Sequence, residues 1–271
     1  MASISKQIGK HPLLTYFILA YALSWIVEIP LALEARGIIR AEIPFSLHYL
    51  AAFGPMLSAL IVTGLTDGSR GLRELKGRIT KWKVGPGWLL VAAAPLGLCL
   101  LLVAALLLFQ GERIDLAALG QVDFLPALGL AALPMWILTF GIGEETGWRG
   151  FALPRLQNDH SALSATLILW VLWALWHLPM FFYSYDLSIV PGFLIGLLAG
   201  AITLTWLYNS TSGSILMVAM WHGIFNFTTA CITCKTGIIA AAISTMVMVW
   251  SVLVVVLFKP AMLSRSEKQV I

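Results

Sequence analysis

The chain has 271 residues, 59% of them hydrophobic and only 11% charged, with a formal net charge of +4. Soluble domains carry about 25% charged residues, so this balance excludes an ordinary soluble protein. The positive charges sit in a few loops rather than on one extended face, which leaves no reason to expect a nucleic-acid partner. Several apolar runs reach about 20 residues, enough to cross a bilayer as helices. The expected class is therefore all-α: a polytopic membrane protein with one transmembrane domain over residues 1–271, surrounded by membrane lipids.

Hydropathy places eight candidate spans, at residues 12–33, 47–66, 87–109, 126–144, 162–183, 189–208, 213–232 and 238–258. Lys6 and Lys10 precede the first, as in a signal peptide. Its apolar run is too long for a signal h-region and no A-x-A-like site closes it, so it reads as a retained helix. If the N-terminus is cytoplasmic, residues 1–11, 67–86, 145–161, 209–212 and the tail from Lys259 are inner segments. They hold all of the 17 basic residues except Arg36, Arg40, Arg113 and Lys235. That bias puts both termini in the cytoplasm, and two inner termini require an even number of spans.

In the inner segment 67–86, Leu72, Leu75, Ile79 and Trp82 recur at helical spacing, with Arg70, Arg78 and Lys81 on the other side. It reads either as a short basic amphipathic helix on the inner membrane face or as a topology-determining loop. Gly192, Gly196 and Gly200 repeat G-x-x-x-G in the sixth span. Such a stripe lets helices approach closely, and a neighbouring span is the expected partner rather than a second molecule. Cys231 and Cys234 form a C-x-x-C, a spacing open to redox or metal chemistry. Without a second pair they read as small residues at a helix interface. The tail 259–271 is short and polar and reads as disordered, with no prenylation box at its end.

Within the spans the ionisable residues are Glu28, Glu34, His48, Glu144, Glu145, His177 and His222, with Arg149 close behind and Asn226 at similar depth. Glu34 and His48 fall near span ends, where an interfacial position explains them. Glu28 is deeper, before Pro30, and is a supporting candidate. Glu145 and Arg149 are four apart, share a helix face and can pair. Glu144 is rotated by about 100° from Glu145, so the two carboxylates need not serve one partner. His222 and Asn226 share a face. His177 follows Trp173 by four, and Pro179 loosens the helix beside it. A single buried histidine or ion pair is explained by helix bridging alone. Two acids, one arginine, two histidines and one asparagine on three spans are better explained by a shared wet pocket, because each alone costs a few kcal/mol in a bilayer.

Glutamate and histidine in a pocket can hold and activate water, directly or through a metal. Histidine and asparagine four apart can donate hydrogen bonds to a developing oxyanion. These are the parts for peptide-bond hydrolysis without a covalent intermediate. Glu144, His177 and His222 also form a set able to bind Zn²⁺ with an open position, although the H-E-x-x-H zinc-protease pattern is absent.

Glu144-Glu145-x-x-x-Arg149, Trp173-x-x-x-His177-Leu178-Pro179 and His222-x-x-x-Asn226 together resemble the three motifs of the CPBP family. These are the CAAX-protease and bacteriocin-processing intramembrane endopeptidases, which include the Rce1-type CAAX proteases. The resemblance covers about residues 126–232, the expected catalytic core. It implies an intramembrane protease, of metallo- or glutamate type, acting on a membrane-associated peptide or protein. It further implies Glu144 as the general base, with His177 sharing the water and Glu145 and Arg149 in support. His222 and Asn226 would be the oxyanion-stabilising pair. The second motif departs from the family's usual phenylalanine at Trp173, which bears on substrate fit more than on catalysis. Outside this reading stand a non-enzymatic membrane immunity or scaffold protein of the same fold, and a transporter. A transporter would show inverted repeats, and the sequence has none.

Upright spans do not assemble this pocket. At about 1.5 Å per residue, His222 lies roughly 14 Å and His177 roughly 22 Å from their inner span ends, while Glu144 would sit at the inner edge. The repair is a long, tilted fourth helix that continues to about residue 153. Glu144 then lies in the inner leaflet, Arg149 snorkels to the surface, and the pocket opens toward the cytoplasm.

Overall fold

Lipid cannot satisfy backbone N–H and C=O groups, so chains that span it as separate segments do so as helices. The computed structural model describes residues 8–111, 113–115, 119–120, 128–230 and 237–271. Among them every regular element is helical. In chain order the main helices are α1 (Pro12–Ala35), α2 (Phe45–Thr66), α3 (Gly68–Ile79), α4 (Pro86–Gln110), α5 (133–159), α6 (Ala162–Trp176), α7 (Val190–Ser210), α8 (Ile215–Thr229) and α9 (Ile238–Leu257). Five are long and apolar enough to cross a membrane: α1, α2, α4, α7 with its leading turn, and α9. Helices α6 and α8 are apolar but have only 15 residues each. The chain is an all-helical polytopic membrane protein. Lys6, Lys235, Cys231 and Cys234 lie outside the described residues.

Helix α5 is the centre of the bundle, touching α2, α3, α6, α7 and α8, and α1 through Tyr16 and Phe17. It does not end at Glu144. It runs on as an unbroken helical path through Trp148 and past Pro154 to Asp159, beyond the expected end near residue 153. Two stretches, Ile137–Glu144 and Trp148–Ala152, are π-helical. Such wider i→i+5 turns appear mostly as local insertions, often at functional sites. All ten residues from Gly141 to Gly150 are buried except Ile142, which is half-buried.

Close approach of α5 to α8 depends on glycine from both sides. A Cβ on Gly141 would stand 2.3 Å from the Ala219 carbonyl oxygen, and one on Gly223 would stand 2.5 Å from the Ile137 Cα. On the other flank the Tyr16 and Phe151 rings stack at 4.8 Å between centroids, and Trp148 is fully buried beneath Tyr16 and Phe17.

One end of the bundle gathers the basic residues. The amphipathic segment is a helix, α3, with Leu75 buried and the charges outward. Arg78 donates to the Gly150 carbonyl at 2.8 Å and to the Tyr208 hydroxyl at 2.9 Å. Lys81 donates to the Ser212 carbonyl at 2.9 Å, and Arg155 pairs with Asp67 at 3.2 Å. The tail at 259–271, expected to be disordered, is instead packed here. Gln157 donates to the Gln269 carbonyl at 2.7 Å, the Gln269 amide donates to the Asn209 side chain at 3.1 Å, and Leu263 is fully buried. Counting polar residues hid this, because its partners are buried amides on α5 and α7 that only the fold brings together.

Replacing Gly141 with valine is expected to cost about 1–3 kcal/mol through overpacking against α8. Gly97→Ala, at an exposed position with open space around it, is expected to stay within about 1 kcal/mol of wild type. Unfolding titrations in detergent check both, and equal midpoints for all three proteins would remove the close-approach argument.

Candidate active site

The site is built from α5, the C-terminal end of α6 and the middle of α8. Helix α6 stops at Trp176, and a 3₁₀ turn at Leu178–Phe182 carrying Pro179 follows it. At the helix end the Trp173 carbonyl accepts from the His177 backbone N–H at 3.3 Å and from its Nδ1 at 2.7 Å. A carbonyl can only accept, so the Nδ1 proton is fixed and Nε2 keeps its lone pair.

Glu144 and Glu145 do serve different partners. Glu144 Oε2 accepts from Trp173 Nε1 at 2.9 Å and from Trp148 Nε1 at 3.3 Å. Its Oε1 bonds to no described residue, and the side chain lines a cavity of about 960 Å³. Glu145 turns away from that cavity. Its Oε1 accepts from Arg149 Nη1 at 2.9 Å and from His222 Nδ1 at 2.8 Å. The second bond puts a proton on His222 Nδ1 and leaves Nε2 free. His177, His222 and Asn226 line the same cavity as Glu144, and the Trp173 ring lies between the two imidazoles, at 5.7 Å and 5.5 Å between centroids. The amide of Asn226 makes no hydrogen bond to a described residue. Of the six expected site residues, four meet at the cavity, and Glu145 and Arg149 stand behind them.

Three expectations change. Arg149 does not snorkel to the surface; it is fully buried, paired with Glu145 and stacked over Trp173 with its Cζ 4.5 Å from the ring. Trp173 does more than enlarge a wall, because its indole N–H binds the Glu144 carboxyl, a contact phenylalanine lacks. The glycine stripe of α7 does not pack on a helix. Gly192, Gly196 and Gly200 line the cavity, and a Cβ on any of them would meet nothing within 4 Å.

A metal does not fit these residues as they stand. Among the described residues no group of three His, Cys, Asp or Glu side chains is gathered closely enough to hold one. One oxygen of Glu144 is also taken by two indole N–H groups. The Zn²⁺ set of Glu144, His177 and His222 is therefore not assembled.

His48 was placed at an interface by its position near a span end, yet it is buried and lines the cavity with Glu28. Its Nδ1 is hydrogen-bonded to the Tyr183 hydroxyl at 2.7 Å and lies 4.0 Å from Glu28 Oε1. Tyr183 drew no attention in the sequence, since nothing local marks its loop as folding back over α1 and α2. The readable signal was a second acid–histidine pair, Glu28 and His48, at matching depth on adjacent spans.

The extended α5 settles the height mismatch and raises Glu144 further than expected. Glu144 stands roughly 22 Å from Asp159 and His177 roughly 22 Å from Ala162, both measured from the basic end at about 1.5 Å per residue. The described cavity wall reaches the end of the bundle nearer the loops at 36–44 and 178–189 and extends inward to Leu204 and Trp221. It includes Phe45, Ser184, Tyr185 and Thr229, and no residue of α3, of the 153–159 end of α5 or of the tail.

Residues 126–228 match the signature of the type II CAAX prenyl endopeptidase Rce1-like family. A stretch of 115 residues is 32% identical to a CAAX prenyl protease 2 of Methanococcus maripaludis, covering 39% of this chain and 40% of that protein. The chain therefore matches well under half the length of that relative. The matched stretch holds all six expected site residues, so over its core the chain is similar to the Rce1-like family.

Arg149→Leu leaves Glu145 buried with only His222 beside it, and is expected to destabilise the protein by about 3–5 kcal/mol. The double change of Arg149→Leu with Glu145→Gln removes the orphaned charge and should recover part of that loss. Unfolding in detergent measures both, and additive losses would refute the pairing.

Proposed function

We propose that the protein is an intramembrane endopeptidase that hydrolyses peptide bonds of membrane-associated peptides or proteins, with Glu144 as the general base. The observation that carries this reading is the free Oε1 of Glu144 in one cavity with His177, His222 and Asn226. Glu144 takes a proton from a water whose other hydrogen points at His177 Nε2. The water oxygen bonds to the substrate carbonyl carbon. Asn226 donates to the oxygen that becomes negative, and His222 does so from Nε2 when its ring is protonated. Glu145, accepting at Nδ1, holds the ring with Nε2 turned to the cavity. The proton on Glu144 then passes to the leaving nitrogen as the C–N bond breaks. Trp148 and Trp173 hold the carboxyl in place throughout. The donor arrangement supports a route in which no metal takes part.

The same reading sets the direction of substrate entry. With the basic end of the bundle in the cytoplasm, the cavity opens on the opposite side of the membrane. The sequence alone pointed instead to a pocket facing the cytoplasm, and the labelling below separates the two.

Glu144→Gln is expected to lower kcat by about 10²–10⁴-fold, the usual worth of a positioned base, in cleavage of a membrane peptide library by purified protein. Dialysis against a chelator should leave the wild-type rate unchanged. Equal cleavage by wild type and Glu144→Gln would end the endopeptidase reading, and chelator inactivation would end the metal-free route. Sidedness is tested separately in vesicles of known orientation, in a background whose native cysteines are replaced by alanine. A membrane-impermeant thiol reagent should label Ser184→Cys from the face opposite the one that exposes Arg70→Cys, and labelling of both from one face would reverse the assignment.

A further inference from the structure

We propose that Glu28, His48 and Tyr183 form a substrate subsite for a cationic group, placed about one helical turn from Glu144 toward the mouth of the cavity. This rests on the endopeptidase reading and adds a selectivity to it.

The position follows from α5. Phe140 lies one turn before Glu144 and lines the cavity with it, and its ring stands 6.0 Å from that of His48. Helix α1 is pinned to α2 at this level by Ser24, whose hydroxyl donates to the Ala51 carbonyl at 2.7 Å. That contact holds Glu28, one turn further along α1, against the start of α2.

The chemistry follows from what Glu28 lacks. It is fully buried and lines the cavity, its Oε1 has only a long 3.5 Å contact from the Tyr183 hydroxyl, and its Oε2 has no hydrogen-bond partner among the described residues. A buried carboxyl oxygen left unsatisfied costs more than any single contact it makes returns. Among the described residues no fixed cation answers it. His48 spends Nδ1 on Tyr183, and Arg36, the nearest arginine in sequence, donates to the carbonyls of Phe182 and Phe181. The surrounding wall is aromatic, with Phe45 stacked on His48 at 5.4 Å and Tyr49 edge-on to it at 5.6 Å. Ring faces beside a carboxylate suit an ammonium or guanidinium, which gains from both. An acidic group would be repelled, and an apolar one would leave Oε2 unsatisfied. The matching substrate carries lysine, arginine or a free amine a short distance from the bond that is cut.

The test measures binding apart from cleavage. Fluorescent single-span peptides carrying lysine or norleucine at successive positions are titrated against detergent-solubilised Glu144→Gln protein. Lysine at one position is expected to bind about ten-fold tighter than norleucine. Adding Glu28→Gln should collapse that ratio to near one, and adding Tyr183→Phe should reduce it without reversing it. No discriminating position, a ratio that survives Glu28→Gln, or an equal weakening of both peptides by Glu28→Gln would each overturn the subsite. If Glu28→Gln fails to fold, the Tyr183→Phe ratio decides: an unchanged ratio overturns the subsite. Discrimination in binding with no cleavage by wild type would overturn the endopeptidase reading and leave the subsite standing.

Discussion

A carboxylate that sees neither water nor lipid headgroups must be answered from within the protein, and Glu145 sets that demand at the centre of this bundle. Arg149 supplies the charge from the same helix, and His222 supplies a second donor from another. The trio ties α5 to α8 through a polar link where both helices otherwise meet backbone to backbone. It also decides which nitrogen of His222 faces the cavity. The supporting charges and the chemical groups are therefore not separable: the contact that neutralises Glu145 is the one that orients a pocket residue.

Around that link, the geometry of α5 divides labour between adjacent acids. On a helix neighbouring residues diverge by about 100°, and here π-helical turns flank the pair on either side. Glu144 reaches the indoles and the cavity while Glu145 reaches the arginine. A carboxyl held by two N–H donors on one oxygen and open on the other is poised without being sequestered. The π turns also absorb the length needed for one helix to present acids to the pocket and still reach the basic end at Asp159.

Much of this was legible in the residues because charges in apolar runs are rare and their spacing is informative. Glu145 with Arg149, and His222 with Asn226, were readable as same-face pairs, and the height mismatch demanded a longer fourth helix. Its extent was not readable. Lengthening α5 toward the basic end was expected to lift Glu144 from the inner edge into the inner leaflet, whereas the helix runs on to Asp159 and leaves Glu144 roughly 22 Å from that end. Counting residues gives distance along a helix but not where a neighbour starts. His48 and Tyr183 were missed because their roles depend on a loop folding back over two spans. The glycines of α7 were misassigned because small residues serve close packing and open space equally well. The tail was misjudged for a related reason: polar residues read as solvated unless buried amides are known to await them.

The enclosure of α5 bears on how the protein is made. Residues 141–150 carry two acids, an arginine and four glycines, and almost none of that surface meets the exterior. A segment of this composition gains little from lipid on its own, since a single charged residue at mid-membrane costs about 2.5–3.5 kcal/mol during insertion. Its entry is a collective event, sheltered by α1, α2 and α3, which leave the ribosome earlier. It is completed only when α8, made later, brings His222 to Glu145. Until then the most polar stretch of the chain waits, half-housed, for the helix that finishes it.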